Sequence, residues 1–281
     1  MSGSTTPESG RLIVELSQAG ADSAALRSAA ELARWFGLHL HGVFVEDEAL
    51  LALAEFPFAR EFRLPTHDWA PFAADRLAGE LRHAADQARR LMQDVVAQLD
   101  VPTVFEVMRG DPVSCIAGLC SASDIVVVMH AATGAAAELS RLLAPTQGVA
   151  GSVLVLPNRA AMRSGPVVAL LRDAADPVLD EAARIAAARE DGLVILVPQD
   201  APEPKVIERA VAAGMPRQRI TLRHLAETGA AGAQAALSGI RERLVITARA
   251  GSGVDDAIEA AQLATVRGTP VLLVELREAR G

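Results

Sequence analysis

The sequence predicts an α/β protein built from two copies of one unit, each a five-stranded parallel sheet with helices on both faces. Residues 124–157 and 241–275 both run through an apolar β-branched segment, a loop of small residues, an amphipathic segment and a second apolar segment. That order is typical of strand, loop, helix and strand. Two pairs of glycines lie 117 positions apart, which keeps one register in both stretches: Gly134 with Gly251, and Gly151 with Gly268.

The composition sets the classes of partner that the chain can bind. It has 281 residues, 51% of them hydrophobic and 3% aromatic, with a net charge of −8. Nucleic acids and anionic membrane surfaces are disfavoured as partners, because both are bound through clustered Lys and Arg. No run of 18 apolar residues occurs, so no membrane span is expected. The polar segment 1–10 lacks the features of a signal peptide, and we expect a cytoplasmic protein.

The elements of the first copy follow from local patterns. Strands are predicted where apolar runs are bounded by turn residues, and helices where apolar residues recur at helical spacing. Gly37 ends the first helix, and Asp111 followed by Pro112 begins another. The predicted strands span 12–16, 38–45, 103–108, 125–129 and 152–156. The predicted helices span 24–36, about 73–99 and 135–143, in addition to the one that begins at Asp111.

The second copy repeats this order after a polar linker at 158–165. Its first two strands begin at Val167 and Leu193, each 155 positions after its counterpart, whereas later elements keep the offset of 117. The first copy therefore carries 38 extra residues, which we place in an insertion at about 46–85. The predicted domains are residues 11–160 and 165–281.

The insertion is rich in proline and aromatic residues. Segment 46–72 starts with acidic residues, contains three prolines, and holds five of the nine aromatic residues of the chain: Phe56, Phe58, Phe62, Trp69 and Phe72. Aromatic residues are enriched at protein interfaces and in ligand lids, but the same residues could cover one face of the sheet. We expect a second copy of the chain, or a partner protein, to bind through Phe56, Phe58, Phe62 and Trp69.

The order of elements, the AELSRLL helix at 137–143 and the closing GTPVLLVE at 268–275 resemble a tandem universal stress protein. The resemblance covers residues 12–276 apart from the insertion. It implies two flavodoxin-like domains, similar to adenine nucleotide alpha hydrolases, and a cytoplasmic, non-enzymatic role in stress regulation. Many members dimerise through their last strand, so the resemblance also implies that the two copies pair in this way as a pseudo-dimer.

ATP-binding members of this family have a G-x2-G-x9-G-(S/T) loop after the fourth strand, whose bare backbone approaches the phosphates. In both copies only the central glycine of this pattern remains, namely Gly134 and Gly251. The other positions are occupied by Ala131, Ala144 and Pro145 in the first copy and by Ala248, Ala261 and Gln262 in the second. The resemblance therefore implies a degenerate ATP loop, most of all at Pro145, which has no N–H to donate.

ATP-binding members also carry an Asp at the end of their first strand. The first copy has Ser17 at this place, and the second has Arg172 followed by Asp173. In sheets of this type, ligands bind beyond the carboxyl ends of the strands. The candidate cofactor-binding residues there are Ser17, His130, Thr133 and Gly134 in the first copy, and Asp173, Arg249, Gly251, Ser252 and Gly253 in the second.

Two functions stay open at this point. One is a binding or adaptor protein without a cofactor. The other is a switch that binds ATP or another adenine nucleotide through the second copy. A third function, nucleotide hydrolysis or transfer, has the least support, and no catalytic residue is predicted. Ser17, Asp22 and the histidines do not form a nucleophile signature, because no GxSxG elbow is present.

Other polar residues are expected to be structural. His39 and His41 lie two positions apart on one predicted strand, without the spacing of a metal-binding motif, so no metal is expected. The carboxylates at 46–48 are expected to cap a helix. Cys115 and Cys120 are expected to be buried small side chains on one helix of a protein in a reducing compartment.

Overall fold

The computed structural model describes residues 10–16, 23–64, 67–130, 151–157, 163–227, 229–249 and 257–274, and all that follows concerns these residues. In the first half (residues 10–157) the elements are β1 (Arg11–Glu15), α1 (Ser23–Phe36), β2 (His39–Asp47), α2 (Glu48–Ala54), β3 (Arg60–Arg63), β4 (Asp68–Pro71), α3 (Ala74–Val96), β5 (Thr103–Gly110), α4 (Pro112–Leu119), β6 (Ile125–His130) and β7 (Ser152–Pro157).

In the second half (residues 163–274) the elements are β8 (Val167–Leu170), α5 (Val178–Ala188), β9 (Leu193–Val197), α6 (Glu203–Ala212), β10 (Ile220–His224), α7 (Gly229–Ala236), β11 (Leu244–Ala248), α8 (Ala257–Arg267) and β12 (Val271–Val274). A short 3-10 turn, Arg217–Arg219, precedes β10. The helix predicted at 135–143 lies outside the described residues.

Ten of the strands form one sheet, in the order β10-β9-β8-β11-β12-β7-β6-β1-β2-β5. Neighbouring strands are parallel within each half. The halves meet where β12 and β7 pair antiparallel, with Val271 opposite Val155. Read outward from this junction, both halves have the same strand order. The predicted α/β fold with two five-stranded parallel units paired through their last strands is confirmed, whereas the domain limits stay predictions.

Helices cover both faces of the sheet, which explains the continuous apolar strands. All residues of β8, β9 and β11 are buried, as expected for parallel strands packed on both sides. One face packs against α1, α3, α5 and α6 in a single large core. The other face packs against α4 in the first half and against α7 and α8 in the second.

Two glycines allow the chain to cross closely at the amino edge of the sheet. A Cβ on Gly165 would collide with the carbonyl oxygen of Arg241, and a Cβ on Gly10 would collide with that of Ser123. In each half the residue before the first strand therefore passes against the residues before the fourth strand. Gly10 and Gly165 are 155 positions apart, which is the offset of the first strands.

The insertion consists of α2, an antiparallel hairpin and extra turns of α3. Asp47 caps α2 by accepting hydrogen bonds from the N–H groups of Ala49 and Leu50. Strands β3 and β4 pair with Phe62 opposite Trp69. Helix α3 has 23 residues, whereas its counterpart α6 has 10. The sequence placed the insertion here but did not predict the hairpin.

The prediction for the two cysteines was partly wrong. Cys115 lies in α4, but Cys120 follows the end of that helix, and both side chains are half-buried rather than buried. Both thiols are free. Burial, reinforced by the nearby Asp124 carboxylate, raises the pKa of Cys120 to about 11, so this thiol is protonated at neutral pH and unreactive. None of the described helices is long and apolar enough to cross a lipid bilayer.

Candidate functional site

The candidate site lies beyond the carboxyl ends of β8 and β11, the two central strands of the second half. After β8 the chain continues into α5 on one face of the sheet, whereas α8, the helix that follows β11, packs on the opposite face. A crevice opens where neighbouring strands lead to opposite faces, and ligands bind there in α/β sheets. The turn 171–177 follows β8 and lies on one side of the candidate site. Arg249 follows β11 and lies on the other side.

Asp176 organises the turn after β8. Its side chain is completely buried, and Oδ2 accepts hydrogen bonds from the main-chain N–H of Arg172 at 3.0 Å and from its Nε at 2.9 Å. Oδ1 accepts from the N–H of Val178, the first residue of α5, at 3.1 Å. One carboxylate therefore fixes the turn, the start of the helix and the direction of the Arg172 side chain.

Arg209 of α6 holds the same turn from the other side. Its guanidinium donates to the carbonyl oxygens of Ala174 at 2.6 Å and Asp176 at 3.1 Å, and to Oδ2 of Asp180 at 2.8 Å. The planar fork of arginine suits such multiple contacts. The guanidinium donates three hydrogen bonds within the protein and keeps fewer for an anionic ligand.

Asp173, a predicted site residue, lies in this turn with an exposed side chain. Its Oδ1 accepts the N–H of Ala175 at 2.7 Å, the usual Asx turn of a short loop. Arg249, also predicted, is half-buried, and its N–H donates to the carbonyl oxygen of Val274 at 2.9 Å. Both residues lie at the carboxyl edge of the sheet, as the sequence predicted, and Asp173 shapes its own loop.

The edge strand β10, two strands away from β8, ends in a His–Glu pair that the sequence analysis missed. Nε2 of His224, the last residue of β10, lies 2.7 Å from Oε1 of Glu203 at the start of α6, and Nδ1 lies 3.2 Å from the carbonyl oxygen of Pro198. The hydrogen bond to Glu203 raises the pKa of His224, and the contact with Pro198 acts in the same direction. His224 and Glu203 are 21 residues apart in the sequence, so no local motif could have indicated the pair.

The predicted sites of the first half are largely beyond the described residues. Ser17, Thr133 and Gly134 are not described, nor are Gly251, Ser252 and Gly253 of the second half. The backbone of His130 is described, and it pairs with Pro157 at the carboxyl end of β6. His130 therefore lies at the predicted edge.

The carboxylates at the end of β2 have structural roles, and of the predicted capping residues Asp47 is the one whose side chain caps the helix. Asp47 caps α2, and Oε2 of Glu46 accepts hydrogen bonds from Nε and a terminal nitrogen of Arg109 at 3.2 and 3.0 Å. At the end of the neighbouring β5, Asp111 caps α4 through the N–H of Ser114 at 2.8 Å. Among the described residues, no three His, Cys, Asp or Glu side chains are grouped to hold a metal ion.

At this edge of the second half, three basic side chains already have carboxylate partners, whereas the carboxylate of Asp173 is exposed. Arg172 is paired with Asp176, Arg209 with Asp180, and His224 with Glu203. These ion pairs and hydrogen bonds hold the loops at the carboxyl edge of the sheet in place. A covalent mechanism would need a nucleophile within hydrogen-bond reach of a base, and none of these pairs contains a hydroxyl or a thiol.

Solved structures resemble this fold along nearly its whole length. A universal stress protein from Archaeoglobus fulgidus DSM 4304 superposes with a TM-score of 0.64 at 14% identity, covering 94% of this chain and 96% of that one. A protein of unknown function from Pseudomonas aeruginosa PAO1 gives 0.55 at 12% identity, with 95% and 93% covered. A candidate universal stress protein from Pseudomonas aeruginosa UCBPP-PA14 gives 0.52 at 13% identity, with 95% and 94% covered.

Sequence comparisons add no closer relative, since no family model matches the chain and no curated protein matches it significantly. The structural likeness extends over both halves of the chain. The chain therefore has the fold of the universal stress proteins.

Proposed function

We propose that the chain is a non-enzymatic binding protein of the universal stress protein type, with a regulatory role and without a bound ATP. One observation carries this proposal. Arg172 stands where ATP-binding members carry an aspartate, and Asp176 holds its guanidinium in place. An aspartate accepts hydrogen bonds from a nucleotide, whereas a guanidinium has only donors. The aligned position therefore has the wrong hydrogen-bonding character for the contact that the family uses.

The loop pattern of the second half supports the same proposal. Its third position, Ala261, lies inside α8 with a buried side chain. An N–H in the middle of a helix is bonded to the preceding turn and is not free to donate to a phosphate. In the first half the support is the sequence itself, because Pro145 has no N–H.

The alternative is a nucleotide-binding switch in the second half. The observation that favours it is the exposed carboxylate of Asp173, next to the aligned position and beyond the carboxyl end of β8. In this alternative, Asp173 contacts the nucleotide and Gly251-Ser252-Gly253 receives the phosphates.

Thermal unfolding of the full chain with and without ATP and magnesium separates the two functions. A ligand at one hundred times its dissociation constant stabilises the folded state by about 2.7 kcal/mol, so 1 mM ATP would reveal any site with a dissociation constant near 10 μM. We expect no shift. A shift that Asp173→Ala abolishes and the matched Asp200→Ala retains would establish the switch instead.

An assay of phosphate release from ATP tests the non-enzymatic part of the proposal. We expect the rate to equal that of buffer. Hydrolysis that co-purifies with the protein and is lost in Asp173→Ala would contradict it.

The binding role requires a surface for a macromolecular partner, and we propose the aromatic residues of the insertion. Phe56, Phe58, Phe62 and Trp69 are all exposed and are absent from the second half, which lacks the insertion. Large exposed aromatic groups mark interaction sites more often than ordinary surface.

A further inference from the structure

The β3–β4 hairpin has one covered face and one open face. On the covered face, Ala70 is buried and Glu61 pairs with Arg76 of α3. Side chains alternate along a strand, so Phe62 and its cross-strand partner Trp69 project from the opposite face. They are 45% and 60% exposed. The hairpin therefore presents an aromatic face for which this chain supplies no cover among its described residues.

The surrounding segment is apolar in the same way. The rings of Phe62 and Trp69 lie 5.4 Å apart, and those of Phe56 and Phe58 stack at 5.6 Å. Seven of the twelve large hydrophobic side chains that are exposed among the described residues belong to this segment. We call them the aromatic patch: Leu50, Leu53, Phe56, Phe58, Phe62, Leu64 and Trp69.

The size of the aromatic patch fits a protein interface. If a large apolar side chain offers roughly 200 Å² when fully exposed, the patch exposes on the order of 800 Å². One partner contributes about 800 Å² to a stable interface of standard size. This total exceeds the roughly 300–600 Å² of the largest apolar patch on a typical monomeric protein.

The distribution of exposed apolar residues points to a second copy of the same chain as the occupant. The five others among the described residues are Val104, Val107, Val211, Ile258 and Val266, from three separate parts of the chain. None of these forms an aromatic surface that could receive the patch of another copy head to tail. Two patches can, however, cover each other about a two-fold axis, and such an isologous contact closes at the dimer.

The charges at the patch are self-complementary. Glu55 and Arg60 are both exposed and flank the stacked Phe56 and Phe58. In an isologous contact, residue i of one chain meets residue j of the other and the reverse, so each Glu55 can meet the Arg60 of the other copy. A second copy of the chain is available wherever the protein is made, so a homodimer can cover the patch without a different partner.

We propose that the aromatic patch is the interface of a homodimer in which the β3–β4 hairpins of two chains pack face to face about a two-fold axis. The proposal rests on the binding role proposed above and names the partner. It is independent of nucleotide binding, so the ATP experiments and the experiments below can fail separately.

Sedimentation velocity of the full chain over a range of concentrations tests the dimer. We expect the unmodified chain to sediment as a dimer at micromolar concentration. In Phe58→Ser/Trp69→Ser we expect dimer affinity to fall at least a hundredfold, since buried aromatic residues dominate interface energies and each occurs twice in a two-fold contact. The control Val211→Ser/Val266→Ser removes two exposed apolar residues outside the patch and should remain dimeric.

Fluorescence shows whether the patch itself becomes covered. The chain has two tryptophans, and Trp35 is 8% exposed, so Trp35→Phe leaves Trp69 as the only reporter. We expect its emission to move to shorter wavelength, and its quenching by acrylamide to decrease, as concentration rises. Arg60→Glu should weaken the dimer, and Glu55→Arg added to it should restore the association.

Three results would overturn the proposal. The chain could remain monomeric at every concentration, which would leave the patch for a different protein. The dimer could survive Phe58→Ser/Trp69→Ser in a variant whose circular dichroism is unchanged. Trp69 could also stay exposed in a dimer, which would place the interface elsewhere, for example along the edge strand β5.

Discussion

Asp176 accepts both the main-chain N–H and the Nε of Arg172 on one buried oxygen, at 3.0 and 2.9 Å. The position that could meet a nucleotide is thereby tied to the scaffold. Removing one member of a buried pair leaves a charge without its partner, which is far more costly than losing an exposed pair. This contact is therefore a structural element of the carboxyl edge as much as a feature of the candidate site.

We predict that Asp176→Ala lowers the free energy of unfolding by about 3 kcal/mol, because Arg172 and the N–H of Val178 both lose their acceptor. Urea denaturation measures the change. Asp180→Ala is the matched control, since the Asp180 side chain is 45% exposed and meets Arg209 near solvent, and it should cost less than about 1 kcal/mol. Equal losses in the two variants would show that burial of Asp176 is not the decisive factor.

A second buried pair, between Glu242 and Arg267, connects the amino edge of β11 to α8. The Glu242 side chain is fully buried and accepts from Nε and a terminal nitrogen of Arg267, both at 2.8 Å, and from Oγ1 of Thr269 at 3.2 Å. Burial alone raises the pKa of Glu242, but the hydrogen bonds from Arg267 outweigh it, so the pKa lies below the ordinary value of 4.5.

The lowered pKa gives the Glu242 pair a defined pH dependence. The unfolded chain binds the proton more tightly than the folded one, so the stabilisation is complete above about pH 4.5 and is lost as the pH falls below it. We predict that Glu242→Gln lowers the free energy of unfolding by about 3 kcal/mol at pH 7, and that the difference from the unmodified chain shrinks towards pH 3.5. A difference that is constant over this range would contradict the prediction.

Most of the sheet could be predicted because parallel strands with helices on both faces must be apolar throughout. Val167 to Leu171 and Leu193 to Val197 are such runs, and the structure places β8 and β9 within them. One glycine of the register also had a physical cause, since Gly151 lies where a Cβ would meet the carbonyl oxygen of Ala122. Each of these features depends on the type of residue at one position, so it can be predicted from a single sequence.

The features that escaped prediction depend on distant partners. Trp35 packs its ring 5.5 Å from the Arg243 guanidinium of the other half, and no local pattern connects positions so far apart. The hairpin turn uses His67 with a φ of 53° in place of the Asn-Gly or Asp-Gly pair that normally signals a hairpin. A buried aspartate such as Asp176 has the same local sequence as an exposed helix cap, so its burial could not be predicted.

His41 supplies a third prediction. It lies on β2 facing α4, and only 5% of it is exposed. Nε2 is 3.3 Å from Oε2 of Glu106, without the geometry of a hydrogen bond. Burial lowers the pKa of His41, and the Arg11 charge lowers it further, while Glu106 and Asp124 act in the opposite direction.

Because the unfolded chain protonates His41 near its ordinary pKa of 6.5 and the folded chain does so only at lower pH, this residue destabilises the fold as the pH falls below about 6.5. We predict that His41→Leu loses less free energy of unfolding than the unmodified chain between pH 7.5 and 5. The other five histidines are common to both proteins, so the difference reports His41. Identical losses would show that His41 protonates equally well in the folded chain.

The close crossing at Gly165 supplies the last prediction. A methyl group there would meet the Arg241 carbonyl, and Arg243 donates its N–H to the carbonyl oxygen of the next residue, Pro166, at 2.9 Å. Relief would require the start of β8 to separate from the segment before β11. We predict that Gly165→Ala lowers the free energy of unfolding by about 3 kcal/mol, at the upper end of overpacking costs.

Gly79 is the matched control for Gly165, because it lies within α3 and a Cβ there would have nothing within 4 Å. Gly79→Ala should raise the free energy of unfolding by about 1 kcal/mol, since alanine favours a helix over glycine. The two glycine-to-alanine changes should therefore move the urea midpoint in opposite directions. A stabilising effect at both positions would mean that the strand crossing can open at little cost. The amino edge of the second half would then be less tightly packed than the Gly165 contact indicates.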